Sequence, residues 1–128
     1  MILIDSNFFI NLLDERDRNH KQAKKILEKI SNKEKIVTDG VILETITLAG
    51  SLFGGKIATE LYHNIVDNYK VHQTFHLFNK AMITHLKYDG TLSLVDTLLI
   101  ETMKELNIYE IVSFDSDFDN KKGIIRVY

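Results

Sequence analysis

Five carboxylates in this sequence interrupt or terminate apolar runs, where an unpaired charge is costly. Asp5 closes MILI (1–4), Glu44 interrupts VILETITLAG (41–50), and Asp96 sits inside LSLVDTLLI (92–100). Asp115 and Asp117 follow the apolar stretch IVSF (111–114). Burying an unpaired carboxylate costs several kcal/mol, and gathering like charges adds to the penalty. None of these segments carries a lysine or arginine as counterion. A hard divalent cation removes the difficulty, because Mg²⁺ and Mn²⁺ take oxygen ligands and keep part of their water. Such an ion also acidifies water and neutralises a phosphodiester under attack, so the residue set suits metal-assisted phosphodiester hydrolysis.

Each acid also has a plainer use. Asp5 can cap the helix that follows it, Glu44 can turn to water, and Asp96 can cap a helix or pair with a distant lysine. Asp-Ser-Asp at 115–117 is good turn chemistry. The metal reading gains its weight from the set taken together.

Other chemistries lack anchors. There is no cysteine, which excludes disulfides, zinc–thiolate sites and thiol nucleophiles. Of the five histidines (20, 63, 72, 76 and 85), His72 and His76 have a zinc-like spacing. They straddle an expected strand–helix boundary and no third ligand is spaced for zinc, so they read as surface or packing residues. No Gly-x-Ser-x-Gly elbow, P-loop or Gly-x-Gly-x-x-Gly is present.

The elements that must position the acids follow from periodicity. MILI reads as a buried strand, and Ser6 stands where an N-cap belongs ahead of the helix FFINLL (8–13). Residues 19–31 place Ala23, Ile26, Leu27 and Ile30 on one face and lysines on the other. A strand at 35–37 precedes Thr38 or Asp39 as cap for a helix from 41 to about 53, which Gly54–Gly55 ends. Helices at 56–67, 75–87 and about 93–106 are expected, with strands at 69–73, 110–114 and 124–128. Asp89–Gly90 marks a turn. Strands alternating with helices predict an α/β sandwich with a mainly parallel central sheet. In such folds ligands gather beyond the carboxyl ends of the strands, where Asp5 and Asp115 fall; Glu44 and Asp96 would flank that edge from helices.

Length and composition set the frame. The 128 residues suit a single domain over 1–128, and 45% hydrophobic with 27% charged residues is ordinary for a globular protein. With no secretory signal in the first residues and no apolar run near the roughly 20 residues that span a bilayer, the expected setting is cytoplasmic, without a membrane partner. The net charge of −2 hides an asymmetry. Residues 16–35 hold eight of the 16 basic side chains and three acids, so +5 lies there and −7 elsewhere. That stripe suits steering of a polyanion and equally suits a solvated helix face.

The acids and their settings resemble the PIN-domain pattern over essentially the whole chain. ILIDSN (2–7) matches its opening strand ending in Asp-Ser/Thr, and Glu44 in VILETI matches its mid-chain helical glutamate. LSLVD (92–96) and SFDSDF (113–118) match its Leu-Ser-x-x-Asp and Ser/Thr-x-Asp-x-Asp-Phe segments. After Asp96 the chain continues with Thr97, Leu98 and Leu99, where the family often has small residues. The resemblance implies a PIN-like three-layer α/β/α sandwich and a Mg²⁺- or Mn²⁺-dependent endoribonuclease. It implies catalysis by Asp5, Glu44, Asp96 and Asp115, with metal held by Asp5, Asp96 and Asp115 and, through a water or in an outer position, Asp117. Ser6 and Ser113 would support these ligands by hydrogen bonding. Small single-domain members of this kind resemble VapC toxins, which implies an RNA substrate, a homodimer and a cognate antitoxin. The rival readings are non-catalytic. A receiver-like signalling domain needs a lysine closing a late strand, where this chain has Asp115; a degenerate PIN-like binding module would have lost its acids.

Overall fold

The computed structural model describes all 128 residues. Five strands form one sheet in the order β3-β2-β1-β4-β5: β1 (Ile2–Ile4), β2 (Lys35–Thr38), β3 (Lys70–His72), β4 (Glu110–Val112) and β5 (Ile125–Val127). Every pairing is parallel, with Leu3 opposite both Ile36 and Ile111. The sheet is therefore wholly rather than mainly parallel. Six helices cover it: α1 (Ser6–Leu13), α2 (His20–Lys29), α3 (Asp39–Phe53), α4 (Gly55–Asn68), α5 (Phe78–Lys87) and α6 (Leu94–Leu106). This is the expected α/β/α sandwich. Parallel strands are covered on both faces, which is why β1 and β4 read as continuous apolar runs and why Ile2, Leu3, Ile4, Ile111 and Val112 are fully buried.

Order β3-β2-β1-β4-β5 means that the chain builds one half of the sheet outward from β1 and then returns to build the other. The reversal leaves a crevice at the carboxyl ends of β1 and β4, the place where open parallel sheets bind ligands. Asp5 follows β1 directly, and its amide donates to the carbonyl of Val112 at the end of β4 (3.0 Å).

Local departures from the sequence reading have simple causes. Asp5, not Ser6, is the N-cap of α1, because its carboxylate accepts the Ser6 amide at 2.7 Å and Ser6 is already helical. Thr38 caps α3 by accepting from the Val41 amide at 3.1 Å, which leaves Asp39 inside the first turn. The expected helix at 75–87 is split into a 3₁₀ turn (Phe75–Leu77) and α5. Thr74 anchors that turn: its amide and hydroxyl donate to Asp39 at 3.1 and 2.6 Å. Gly54, at φ +90°, separates α3 from α4 in the conformation only glycine adopts easily.

Candidate metal centre

Each acid is delivered to the β1/β4 crevice by a local rule. Asp5 is the residue at which strand becomes helix. Asp96 is the third residue of α6, whose cap Ser93 accepts from the Asp96 amide at 3.1 Å, so Leu-Ser-x-x-Asp is a helix start that also aims a carboxylate. Asp115 caps the 3₁₀ turn Ser116–Phe118 by accepting the Asp117 amide at 2.8 Å. Glu44 lies in the second turn of α3. The plain uses considered for Asp5, Asp115 and Asp117, capping and turn-building, are thus real and coexist with their convergence.

One carboxylate organises the rest. Asp5 is 3% exposed and accepts from the Ser6 amide and from the Ser113 hydroxyl, the latter at 2.7 Å. The Ser113 oxygen in turn accepts the Asp115 amide at 3.0 Å, so one serine ties the β1 end to the β4 end. The Ser6 hydroxyl donates to Glu44, joining α1 to α3. Asn7, whose role is not legible in the sequence pattern, bridges the same seam: its carbonyl oxygen accepts the Phe114 amide at 3.1 Å, and its amide group faces Ser113 at 3.4 Å. The available signal for Asn7 was its position two residues after the strand-ending aspartate.

The acidic cluster makes no ion pair of its own, and Arg126 is the cation whose charge reaches it, through Asp115. None of the ion pairs in the structure includes Asp5, Glu44, Asp96, Asp115 or Asp117. The Arg126 guanidinium is engaged by Asp119 at 2.7 and 2.8 Å, with a further bond to the Ser113 carbonyl. Burial pushes the Asp5 carboxyl above the usual aspartate range, with the Glu44 and Asp115 charges adding and the Ser113 and Ser6 bonds opposing. Asp96 is pushed up to about 6, chiefly by burial and then by the charge of Asp5; Asp115 and Glu44 add to this and the Ser93 hydroxyl opposes it. Carboxyl oxygens of Asp96, Asp115 and Asp117 lie within 4.8 Å of one another, able to share one ion.

Two placements differ from expectation. Glu44 and Asp117 are exposed, not embedded. Glu44 reads as buried in sequence because its neighbours are apolar, but Leu43 is 71% exposed and Leu48 also faces outward, so this side of α3 is itself surface. The basic segment lies mainly on α2, where Lys21, Lys24, Lys25 and Lys29 are exposed and away from any carboxylate of the cluster within ion-pair distance. No helix is long and apolar enough to cross a membrane.

Comparison with known proteins agrees with this fold. The family model described as PIN domain matches residues 2–124. No curated protein sequence matches. Among solved structures, the chain is similar to Mycobacterium tuberculosis VapC20, described as a sarcin-ricin loop cleaving toxin, at TM-score 0.83 and 22% identity over 91% of this chain and 92% of that one. A toxin–antitoxin complex from Klebsiella pneumoniae aligns at TM-score 0.74 and 16% identity, covering 98% and 96% of the two chains. VapBC2 from Rickettsia felis, bound to a DNA fragment from their promoter, aligns at TM-score 0.74 and 10% identity, covering 99% and 98%.

Proposed function

Since the chain belongs to the PIN-domain family and has the fold of the VapC toxins, we propose that it is a Mg²⁺- or Mn²⁺-dependent endoribonuclease, the toxin of a VapBC-type toxin–antitoxin pair. One observation carries the reading: Asp5, Glu44, Asp96, Asp115 and Asp117 gather at the sheet's switch point and none of them is in an ion pair.

The donor set fits a hard divalent ion, being all oxygen, partly desolvated and short of positive charge. Asp5, Asp96, Asp115 and Asp117 would hold it directly or through water, the last three already lying within 4.8 Å of one another. When bound, the ion supplies charge that neutralises the carboxylates and the scissile phosphate and makes water a better nucleophile. The chain's own residues do the positioning. Ser113 and the Ser6 amide fix both oxygens of Asp5, while Ser6 restrains Glu44, which completes the ligand set or orients the attacking water. Asn7 and Ser113 tie the end of β1 to the end of β4, which sets Asp5 beside the segment that carries Asp115. The family resemblance implies 5′-phosphate and 3′-hydroxyl product ends.

The substrate is RNA with defined structure. VapC20, described as cleaving the sarcin-ricin loop, has the same fold over nine-tenths of both chains, which supports a folded RNA target here. Exposed lysines on α2 would guide the polyanion. The neighbouring complexes support an antitoxin partner, for which the α3 surface (Leu43, Leu48, Leu52) and its continuation on α4 (Ile57, Tyr62) offer exposed apolar area for an antitoxin or for a second copy of the chain.

The test is incubation of purified protein with total cellular RNA in Mg²⁺, Mn²⁺ or EDTA, beside Asp96→Asn. Discrete cleavage that requires metal and falls at least about 100-fold in the variant is expected. Cleavage that survives EDTA, or that Asp96→Asn leaves intact, refutes the metal-centre reading. A short upstream reading frame encoding a DNA-binding protein is the expected genetic setting.

A further inference from the structure

Away from the acidic cluster, His72 and His76, whose zinc-like spacing lacked a third ligand in the sequence, meet one in Glu105. The Nε2 atoms of His72 and His76 lie 2.7 and 2.8 Å from the two carboxylate oxygens of Glu105, and ligand atoms of all three residues fall within 4.8 Å of one another. His72 ends β3, His76 sits in the 3₁₀ turn, and Glu105 occupies the last turn of α6, 29 residues after His76. The two rings meet at 74° with centroids 5.9 Å apart, so the nitrogens approach the carboxylate from different directions. Glu105 has no lysine or arginine partner, and the histidines have no other hydrogen-bonded partner.

We propose that His72, His76 and Glu105 form a zinc site that clamps the β3–3₁₀ segment to α6. Two imidazoles and one carboxylate are the three-ligand donor set Zn²⁺ accepts, with water in the fourth position. Imidazole nitrogen selects zinc and its neighbours over Mg²⁺, so the ion differs in class from the one the oxygen-only centre would take. With bonds of about 2.0–2.2 Å, tetrahedral zinc sets its ligand atoms roughly 3.3–3.5 Å apart. The Nε2–carboxylate separations therefore need to open by only about half an ångström, within the reach of side-chain rotation.

The backbone that carries these ligands is fixed by other interactions. Thr74, midway between the histidines, is held by Asp39 through two hydrogen bonds. Leu77, next to His76, packs with Leu98 of α6 in a small buried cluster. The β3 register sets His72 opposite Thr38. The donors are thus preorganised without an ion, by backbone and core contacts that none of the three makes itself. Asp96 and Glu105 lie on the same helix nine residues apart, about 14 Å along its axis, so one helix would carry a ligand of each centre.

The experiment is titration of the tag-free full chain with Zn²⁺ against a chromophoric chelator, with Co²⁺ absorption as a spectroscopic probe. One equivalent of Zn²⁺ is expected to bind to the wild-type chain and equally to an Asp96→Asn/Asp115→Asn double variant. His76→Ala and Glu105→Gln should each weaken binding at least about 10-fold and remove the visible Co²⁺ band, with circular dichroism unchanged. The exposed position of His76 makes that variant safe for folding. Absence of stoichiometric binding, its loss in the Asp96/Asp115 variant, or its full retention in a His72→Ala/His76→Ala chain overturns the proposal and leaves an ion pair only.

Discussion

Replacing Asp96 with asparagine should make the metal-free protein more stable at neutral and alkaline pH while abolishing nuclease activity. The Asp96 carboxyl is pushed from its ordinary 3.8 to about 6, first by burial and next by the charge of Asp5. A carboxyl whose folded value is raised favours the folded state only while protonated. Its contribution is fully present below about pH 4 and is lost as pH rises through about 6. A shift of about 2 units corresponds to roughly 3 kcal/mol at full weight. Solvent reaches this partly exposed side chain and screens a good part of that, leaving about 1–1.5 kcal/mol. The asparagine variant carries no such penalty, so in EDTA at pH 8 it should melt about 4 °C above wild type, and the gap should narrow as pH falls and close below about pH 4. Ser93 continues to cap α6 through the Asp96 backbone amide, so the helix start is not disturbed. Asp5 is raised by burial in both proteins, and the difference between the two curves reports Asp96 together with its coupling to Asp5. The assay is thermal or urea unfolding across pH 4–9 in EDTA. Equal pH slopes for the two proteins, or a less stable variant at pH 8, would refute the view that Asp96 is held against its own charge.

Other perturbations separate the remaining links. Ser113→Ala removes the bond to Asp5 and the acceptor for the Asp115 amide, so it should cost about 1–3 kcal/mol in urea unfolding and lower RNA cleavage without altering its metal requirement. Mn²⁺ at 100 times its Kd should stabilise the wild type by about 2.7 kcal/mol at pH 8, and Asp115→Asn should abolish most of that gain in the same melting assay. Charge reversal at Lys21, Lys24 and Lys25 should weaken RNA binding and flatten its dependence on salt in filter-binding measurements; an unchanged salt slope would make the α2 stripe a solvated face.

The sequence alone singled out the candidate acids and the local structure that presents each of them. Asp5 after MILI, Ser93–Asp96 at a helix start and Asp115 at a strand end are short-range patterns, because caps, turns and buried strands are specified by neighbours a few residues away. Alternating strands and helices also imposed a parallel sheet, since parallel neighbours need crossover connections. Tertiary structure decided everything that depends on distant segments meeting. Only the strand order sets Asp5 beside Ser113, and only then does Asn7 become a bridge between β1 and β4. Glu44 has apolar neighbours in sequence and an exposed position in space, because burial depends on which face of α3 finds a partner and not on local hydropathy. Glu105 reaches His72 and His76 across gaps of 33 and 29 residues, and no spacing rule reports a contact made by packing one helix on a turn that far away.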